Sequence, residues 1–192
     1  GFRKSYGMFK HVRSLILMKG PTTLPDLAEK LGYYGEGLVL TLTAMGLGSC
    51  WVGGTFDRNV LEIPEGETLS LVLPVGVPGE TLLKDRILLR QLHSKRKPIS
   101  DRLTAEGETP DWLLRGMEAV VHAPSAVNSQ KPHFIYENGV LTASISGSTP
   151  LDLVDLGIAK KHFELGAGGH FAFGNGGAYS PEEKAPGRRF PA

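Results

Sequence analysis

The densest grouping of uncharged hydrogen-bonding side chains in this sequence is Ala123-Pro124-Ser125-Ala126-Val127-Asn128-Ser129-Gln130, directly after an apolar stretch. Hydroxyls and amides read a polar ring without adding charge, and each amide offers both donors and an acceptor. Asn128 and Gln130 therefore suit a planar heterocycle with alternating carbonyl and N–H groups, although the same residue types also make an ordinary capped turn. Gly53-Gly54 is the second candidate. With no side chains there, a flat ligand could lie against backbone N–H groups, and a bulge or tight turn would use the glycines equally well. The preceding Gly46-Leu47-Gly48-Ser49-Cys50-Trp51-Val52 has glycines spaced somewhat like a dinucleotide fingerprint. They stand between a helix and a strand, whereas the fingerprint requires strand and then helix. Lys95-Arg96-Lys97 could hold a phosphate through the Arg fork and two point charges, or could be a solvated connector.

Other chemistries find less support. His11, His93, His122, His133, His162 and His170 show no paired spacing with carboxylates, and Asp152, Asp155 and Glu164 fall on a helix where surface positions are expected, so no metal site is expected. Cys50, between Ser49 and Trp51, reads as an inert buried thiol. Ser125 lacks the Gly-x-Ser-x-Gly elbow of a hydrolase. With 21 Lys and Arg against 20 Asp and Glu, the net charge of +1 sets up no field for a polyanion. An RNA-binding role for Lys95 to Lys97 is disfavoured further because no aromatics interleave with that run. One cysteine in 192 residues excludes a disulfide framework and fits a reducing, cytoplasmic setting.

The elements that must position these residues follow from periodicity and breakers. A helix is expected over 24 to 45, opened near Thr22, Thr23 and Pro25 and stopped by Gly46. Its second half (Leu38, Val39, Leu40, Leu42, Ala44, Met45) is apolar on nearly every face and so is expected inside the protein or in a subunit contact. Residues 37–56 carry no formal charge, yet five glycines and three threonines interrupt them, so they read as a buried helix and strand, not a membrane span. A buried strand over Ser49 to Val52, a helix starting near Asp57, a strand over Leu69 to Val77 broken by Pro74, and a helix over 80–93 follow. Further on come a helix over Pro110 to Ala123, a hairpin of Phe134 to Tyr136 and Val140 to Ile145 around Asn138-Gly139, and a helix over Leu151 to Leu165. Residues 166–192 are rich in Gly and Pro and suggest a short hairpin and a loose tail. The basic opening Arg3, Lys4, Lys10 and Arg13 leads only to the brief apolar run Leu15 to Met18, too short for a secretory core, and since the first residue is Gly1 an upstream segment is expected to be missing.

Taken together, the 123–130 loop after a helix, Ala44 to Gly54 at a helix-to-strand junction, and Asp155-Leu156-Gly157-Ile158-Ala159 within a late helix resemble the nitroreductase superfamily. Their order resembles its short single-chain branch, in which two halves of one chain mimic the subunits of the usual dimer. The resemblance covers most of residues 5 to 167. It implies an α+β, mixed α/β sandwich with a central, mainly antiparallel sheet flanked by helices. One domain is implied over 1–167, with pseudo-repeat halves of about 1–92 and 93–167, and 168–192 forms the C-terminal hairpin and tail. It also implies an FMN site in which Pro124, Ser125, Ala126, Asn128 and Gln130 contact the cofactor while Gly53 and Gly54 approach the flavin edge near N5. Two departures stand out. The family usually follows its Gln with Pro-Trp, where this chain has Lys131-Pro132-His133, and the family's opening Arg/His-Ser-x-Arg segment, which grips the FMN phosphate, belongs upstream of Gly1. His93-Ser94-Lys95-Arg96 has a similar composition, as a second-half vestige of that element would.

The activity so implied is an NAD(P)H-driven, two-electron reduction of nitroaromatic or quinone-like acceptors by ping-pong hydride transfer. NADH or NADPH is the donor, the flavin carries the chemistry, and no side-chain acid or base is required. The alternative is a non-catalytic or degenerate flavin- or nucleotide-binding protein. A small-molecule substrate is expected, with no nucleic acid and no membrane partner. The assembly is expected to be a monomeric pseudo-dimer or a homodimer, with the helix ending at Met45 packed against Pro110 to Ala123.

Overall fold

The computed structural model of the protein describes residues 12–56, 61–79, 95–147 and 149–182. The start of the helix expected near Asp57, the helix over 80–93, His93 and Ser94, the basic opening from Arg3 to Lys10, and the tail from 183 lie outside those residues.

Pro74 shapes the first sheet. Strand β1 (Ser14–Pro21) pairs antiparallel with β3 (Glu67–Gly76), from Ser14 opposite Val75 to Pro21 opposite Glu67, so β3 runs straight through the proline expected to break it. On the other edge of β3, strand β2 (Gly48–Ser49) pairs with Gly76 and Val75 and then stops. The ladder resumes at Val52, which exchanges two backbone hydrogen bonds of 3.0 Å with Val72. Cys50 would stand opposite Pro74 in that register, where proline has no N–H to donate. The strand expected over Ser49 to Val52 is therefore a two-residue strand followed by an isolated bridge. A register shift between Met18 and Lys19 adds one residue to β3, which turns Leu69 to the opposite face from Leu71.

The second sheet has the order β4-β5-β6-β8-β7. Strand β4 (Leu103–Ala105) runs parallel to β5 (His133–Glu137), and the other pairings are antiparallel. Strands β5 and β6 (Val140–Ser144) form the hairpin expected at Asn138-Gly139, whose φ values of 51° and 77° are both positive, as a two-residue type I′ turn requires. Strand β8 (Gly177–Ser180) pairs with β6, and β7 (His170–Phe171) with β8, so the C-terminal hairpin extends this sheet. Helices pack against mainly antiparallel strands, an α+β arrangement with the strands divided between two sheets.

Helices α1 (Leu27–Ala44), α2 (Asp111–Val121) and α3 (Pro150–Ala167) correspond to three expected helices. Helix α3 starts with Pro150 at its first position and a capping box, in which Thr149 Oγ1 accepts from Asp152 N–H and the Asp152 carboxylate accepts from Thr149 N–H. It is buried from Val154 through Lys160 and has α1 on one face and α2 on another. Helix α1 thus packs on α3, and the pairing of α1 with α2 expected from their apolar residues is not formed. The buried residues of α1 are Glu29, Gly32, Gly35 and Glu36, while Leu38 is exposed and Met45 is 67% exposed. Of the apolar half of α1, expected inside the protein or in a subunit contact, Val39 packs on the core while Leu40 and Leu42 are half-buried and Leu38, Ala44 and Met45 are exposed within this chain. The reason is close backbone approach: a Cβ on Gly32 would come within 2.9 Å of Val154 Cα, and one on Gly157 within 2.7 Å of Tyr33 N. Two glycines stacked across the crossing fix its place along both helices. Leu113, Met117, Leu156, Phe163 and Phe134 anchor the core under the second sheet, and Met18, Leu71, Leu73, Val154 and Ile158 the core under the first. Among the described residues no helix is long and apolar enough to cross a membrane.

Candidate functional site

Two segments far apart in sequence meet the first two turns of α3. A Cβ on Gly53 would stand 2.7 Å from Leu151 Cδ2, whereas one on Gly54 would meet nothing within 4 Å among the described residues, so Gly53 is packed and Gly54 is open there. From the other side, Ala126 N–H donates to both oxygens of Asp155 at 3.0 and 3.1 Å, and the Ser129 hydroxyl lies 3.4 Å from Asp155 Oδ2. Lys131 Nζ pairs with Asp152 Oδ1 at 2.8 Å. Leu151, Asp152 and Asp155 thus place the Gly-Gly turn and the polar loop against one helix end.

The loop is tightly wound. Val127, Asn128 and Gln130 have φ of 47°, 55° and 50°, in the left-handed region that L-residues, and β-branched Val above all, avoid. Backbone bonds from Asn128 N–H to Ser125 O and from Ser129 N–H to Ala126 O, each 3.0 Å, close the turn, and Gln130 N–H donates to Ser125 Oγ at 2.9 Å. Val127 ends 84% exposed at the tip.

Each residue expected to contact a cofactor has a definite place. Gln130 is 3% exposed and its amide is engaged by the protein: Oε1 accepts from Lys97 N–H at 2.9 Å, and Nε2 donates to Lys95 O at 2.8 Å and Asn128 Oδ1 at 3.0 Å. Asn128 is half-buried and uses one amide N–H on Lys95 O at 3.1 Å, which leaves its second N–H without a partner among the described residues. Ser125 Oγ accepts one bond, and its own proton is likewise unengaged among those residues. Pro124 and Ala126 are half-buried. The basic run Lys95-Arg96-Lys97 is more than a solvated connector, because its backbone bonds Asn128 and Gln130 while Arg96 Nη1 donates to Ala123 O at 3.0 Å.

Asp152 and Asp155, expected on the surface, are buried. Burial pushes the Asp155 carboxyl up to about 6, against the opposing pull of the Ala126 and Ser129 hydrogen bonds. Lys131 and Thr149 hold Asp152 below the usual carboxylate range. Spacing gave a signal for Asp155 that was missed: Ile158 and Ala159, three and four residues on, put it on the apolar stripe of its helix. Cys50 is partly buried, and desolvation raises its thiol.

Other buried charges escaped sequence reasoning, among them Lys160, Glu29 and Glu36. Lys160 Nζ donates to Glu29 Oε1 at 2.5 Å and to Ala172 O and Gly174 O at 2.9 Å, and Gly174 N–H donates to Glu29 Oε2 at 2.7 Å. Glu36 lies 2.8 Å from His162 Nε2 and accepts from Trp51 Nε1 at 3.1 Å, which ties α1 and α3 to the residue two before Gly53. Among the described residues no three His, Cys, Asp or Glu side chains gather as metal ligands.

A family model described as "Putative TM nitroreductase" matches residues 1–167, a span that includes Gly53-Gly54, the 124–130 loop and Asp155. Among solved structures the chain is similar to a crystal structure described as a putative nitroreductase from Thermotoga maritima MSB8, with 23% identity, 90% of this chain and 76% of that chain covered, and a TM-score of 0.56. No curated protein matches. At that identity the structural likeness establishes the fold, and the family model, which takes in both segments at the start of α3, establishes that this chain belongs to the nitroreductase family so described.

Proposed function

We propose that the protein is an FMN-dependent oxidoreductase that uses NADH or NADPH to reduce nitroaromatic or quinone-like acceptors. The observation that carries this reading is that the Gly53-Gly54 turn, packed at Gly53 and open at Gly54, and the polar Pro124–Gln130 loop both dock on the start of α3, in a chain of the nitroreductase family. The donor set suits a planar ring with polar edges. Ser125 and Asn128 each keep a donor free among the described residues, Pro124 and Ala126 offer apolar contact, and Gly54 leaves the backbone accessible. Gln130 serves from behind, where its committed amide holds Asn128 in place. When bound, FMN supplies the two-electron chemistry, which no side chain here needs to provide. One domain over 1–167 with two pseudo-repeat halves is consistent with the packing of α1, from the first half, on α3, from the second.

The protein mixed with FMN should perturb the flavin absorbance band and oxidise NAD(P)H in the presence of a nitro acceptor. Neither effect appearing would overturn the reading. Tight FMN binding with NAD(P)H oxidation at background would instead assign a non-catalytic flavin-binding protein.

A further inference from the structure

We propose that Asp155 is the positioning residue of the Pro124–Gln130 loop: from its place in α3 its carboxylate holds Ala126 N–H and the Ser129 hydroxyl and thereby sets the turn that carries Ser125 and Asn128. That the loop binds FMN rests on the function proposed above, whereas the geometry of the loop stands without it.

Consider what each side of this contact lacks without the other. Asp155 is 3% exposed, and a buried carboxylate without donors is strongly unfavourable. Its hydrogen-bond partners among the described residues are Ala126 N–H and Ser129 Oγ, both from the loop. The loop in turn contains three non-glycine residues at positive φ, a conformation that persists only where the surroundings over-determine it. Its remaining bonds run within itself or to the 95–97 segment, which is exposed. Asp155 attaches the turn itself to a helix that is fixed by a capping box and buried on several faces, and the Lys131–Asp152 pair attaches only the residue that follows the loop. Since Ala126 and Ser129 bracket Val127 and Asn128, clamping both ends fixes the direction in which Asn128 leaves the chain. The charged groups facing Asp155 are Asp152, one turn earlier on the same helix, and Lys131 at the end of the loop, and they act in opposite directions on its ionisation.

The test uses the full chain without ligand and then with FMN. In Asp155→Asn, the hydrogen-exchange protection of the Ala126 amide should fall about tenfold or more, as expected when a bond to a charged acceptor is weakened. The Ala126 amide shift of the parent protein should titrate between about pH 4 and 8 as a carboxylate neighbour changes charge, and in Asp155→Asn it should not. FMN affinity should drop about tenfold, and Ser129→Ala should give a smaller loss in the same direction. Unchanged Ala126 protection in a folded Asp155→Asn overturns the proposal, as does a loop that loosens without any loss of affinity in a protein that binds FMN. If the parent chain binds no FMN, the functional reading fails while the Ala126 amide still decides the role of Asp155. Should Asp155→Asn not fold, the parent's pH titration decides, and a flat Ala126 shift overturns the proposal.

Discussion

Replacing Gly157 by alanine tests the helix crossing on which the site is built. An added Cβ would overlap the Glu29 carbonyl oxygen and stand 2.7 Å from Tyr33 N and 2.9 Å from Glu29 C. Relaxing these contacts to ordinary separations of about 3.5 Å means parting α1 from α3 by roughly 1.5 Å, the overlap with the Glu29 carbonyl oxygen being the largest. The displaced residue is Glu29, whose carboxylate pairs with Lys160 at 2.5 Å where both side chains are buried. Overpacking alone costs about 1–3 kcal/mol, and breaking a buried pair about 3–5 kcal/mol. Alanine's helix propensity returns about 1 kcal/mol. With the pair loosened rather than lost, the net destabilisation should be about 3–5 kcal/mol, a large fraction of the usual 5–15 kcal/mol of a domain. For a chain of this size that is a fall in Tm of about 6–20 °C. Urea and thermal melts followed by circular dichroism measure it, with Gly54→Ala, where a Cβ meets nothing within 4 Å among the described residues, as the control. If Gly157→Ala melts within about 1 kcal/mol of Gly54→Ala, the helices do not approach this closely and the reasoning fails.

Gly54→Ala should itself leave stability within about 0.5 kcal/mol while weakening FMN binding, because the only space it fills is open; equal FMN titrations of parent and variant would remove Gly54 from the site. Asn128→Ala should raise the FMN dissociation constant about 5- to 150-fold, the effect of about 1–3 kcal/mol from unpaired polar atoms, with little change in urea midpoint since the residue is half-buried in a loop. Lys160→Met leaves Glu29 buried without its cation and should cost about 3–5 kcal/mol, and adding Glu29→Gln should recover part of this in a double-mutant cycle. The Asp155 carboxyl, raised from 3.8 to about 6 by burial, binds a proton in the folded state that the unfolded chain releases. Its contribution to stability therefore grows as pH falls from about 6 towards 4, by up to about 1.4 kcal/mol per pH unit, and Asp155→Asn should flatten that part of the stability profile in denaturant melts taken across it.

What was legible in the sequence was what local chemistry decides. The Asn138-Gly139 hairpin, the ends of α2 and α3, and the loop at 124–130 all follow from turn residues and apolar spacing. What was not legible depended on which surfaces meet. Pro74 reads locally as a strand breaker, yet β3 tolerates it because the lost donor falls on the edge where β2 ends. Strand β4 has three residues and no alternation, so only its pairing with β5 defines it. At the site, residue types pointed to Asn128 and Gln130 alike, and the difference between them is tertiary: Gln130 turns inward to the 95–97 backbone, whereas Asn128 keeps a free donor. Periodicity, finally, favours apolar helix faces for burial, yet the residues α1 buries fully are Glu29, Gly32, Gly35 and Glu36, while Ala28, Leu31 and Val39 are only partly covered.

That reversal has a physical logic that links the crossing to the site. Where two backbones touch at Gly32 and Gly157, no large apolar side chain fits between them, and the flanking positions suit long polar side chains that reach past the contact. Lys160 reaches the carbonyls of Ala172 and Gly174 and so docks the C-terminal hairpin, while Glu36 reaches the indole of Trp51 and so holds the segment that leads into Gly53. A turn or two earlier on the same α3, Asp155 holds the polar loop and Leu151 packs on Gly53. Both halves of the candidate site are therefore referenced to one helix, whose depth and register are set by a glycine contact, by the Lys160–Glu29 ion pair and by the hydrogen bonds of Glu36, which form only in that register. An all-leucine interface would tolerate sliding by a turn, but a Glu36 displaced from His162 and Trp51 would be left buried without partners. It follows that a change at the crossing must reach the Gly53-Gly54 turn and the Ser125–Gln130 loop together, whereas a change at the exposed Leu38 or Met45, in the second half of α1, should reach neither.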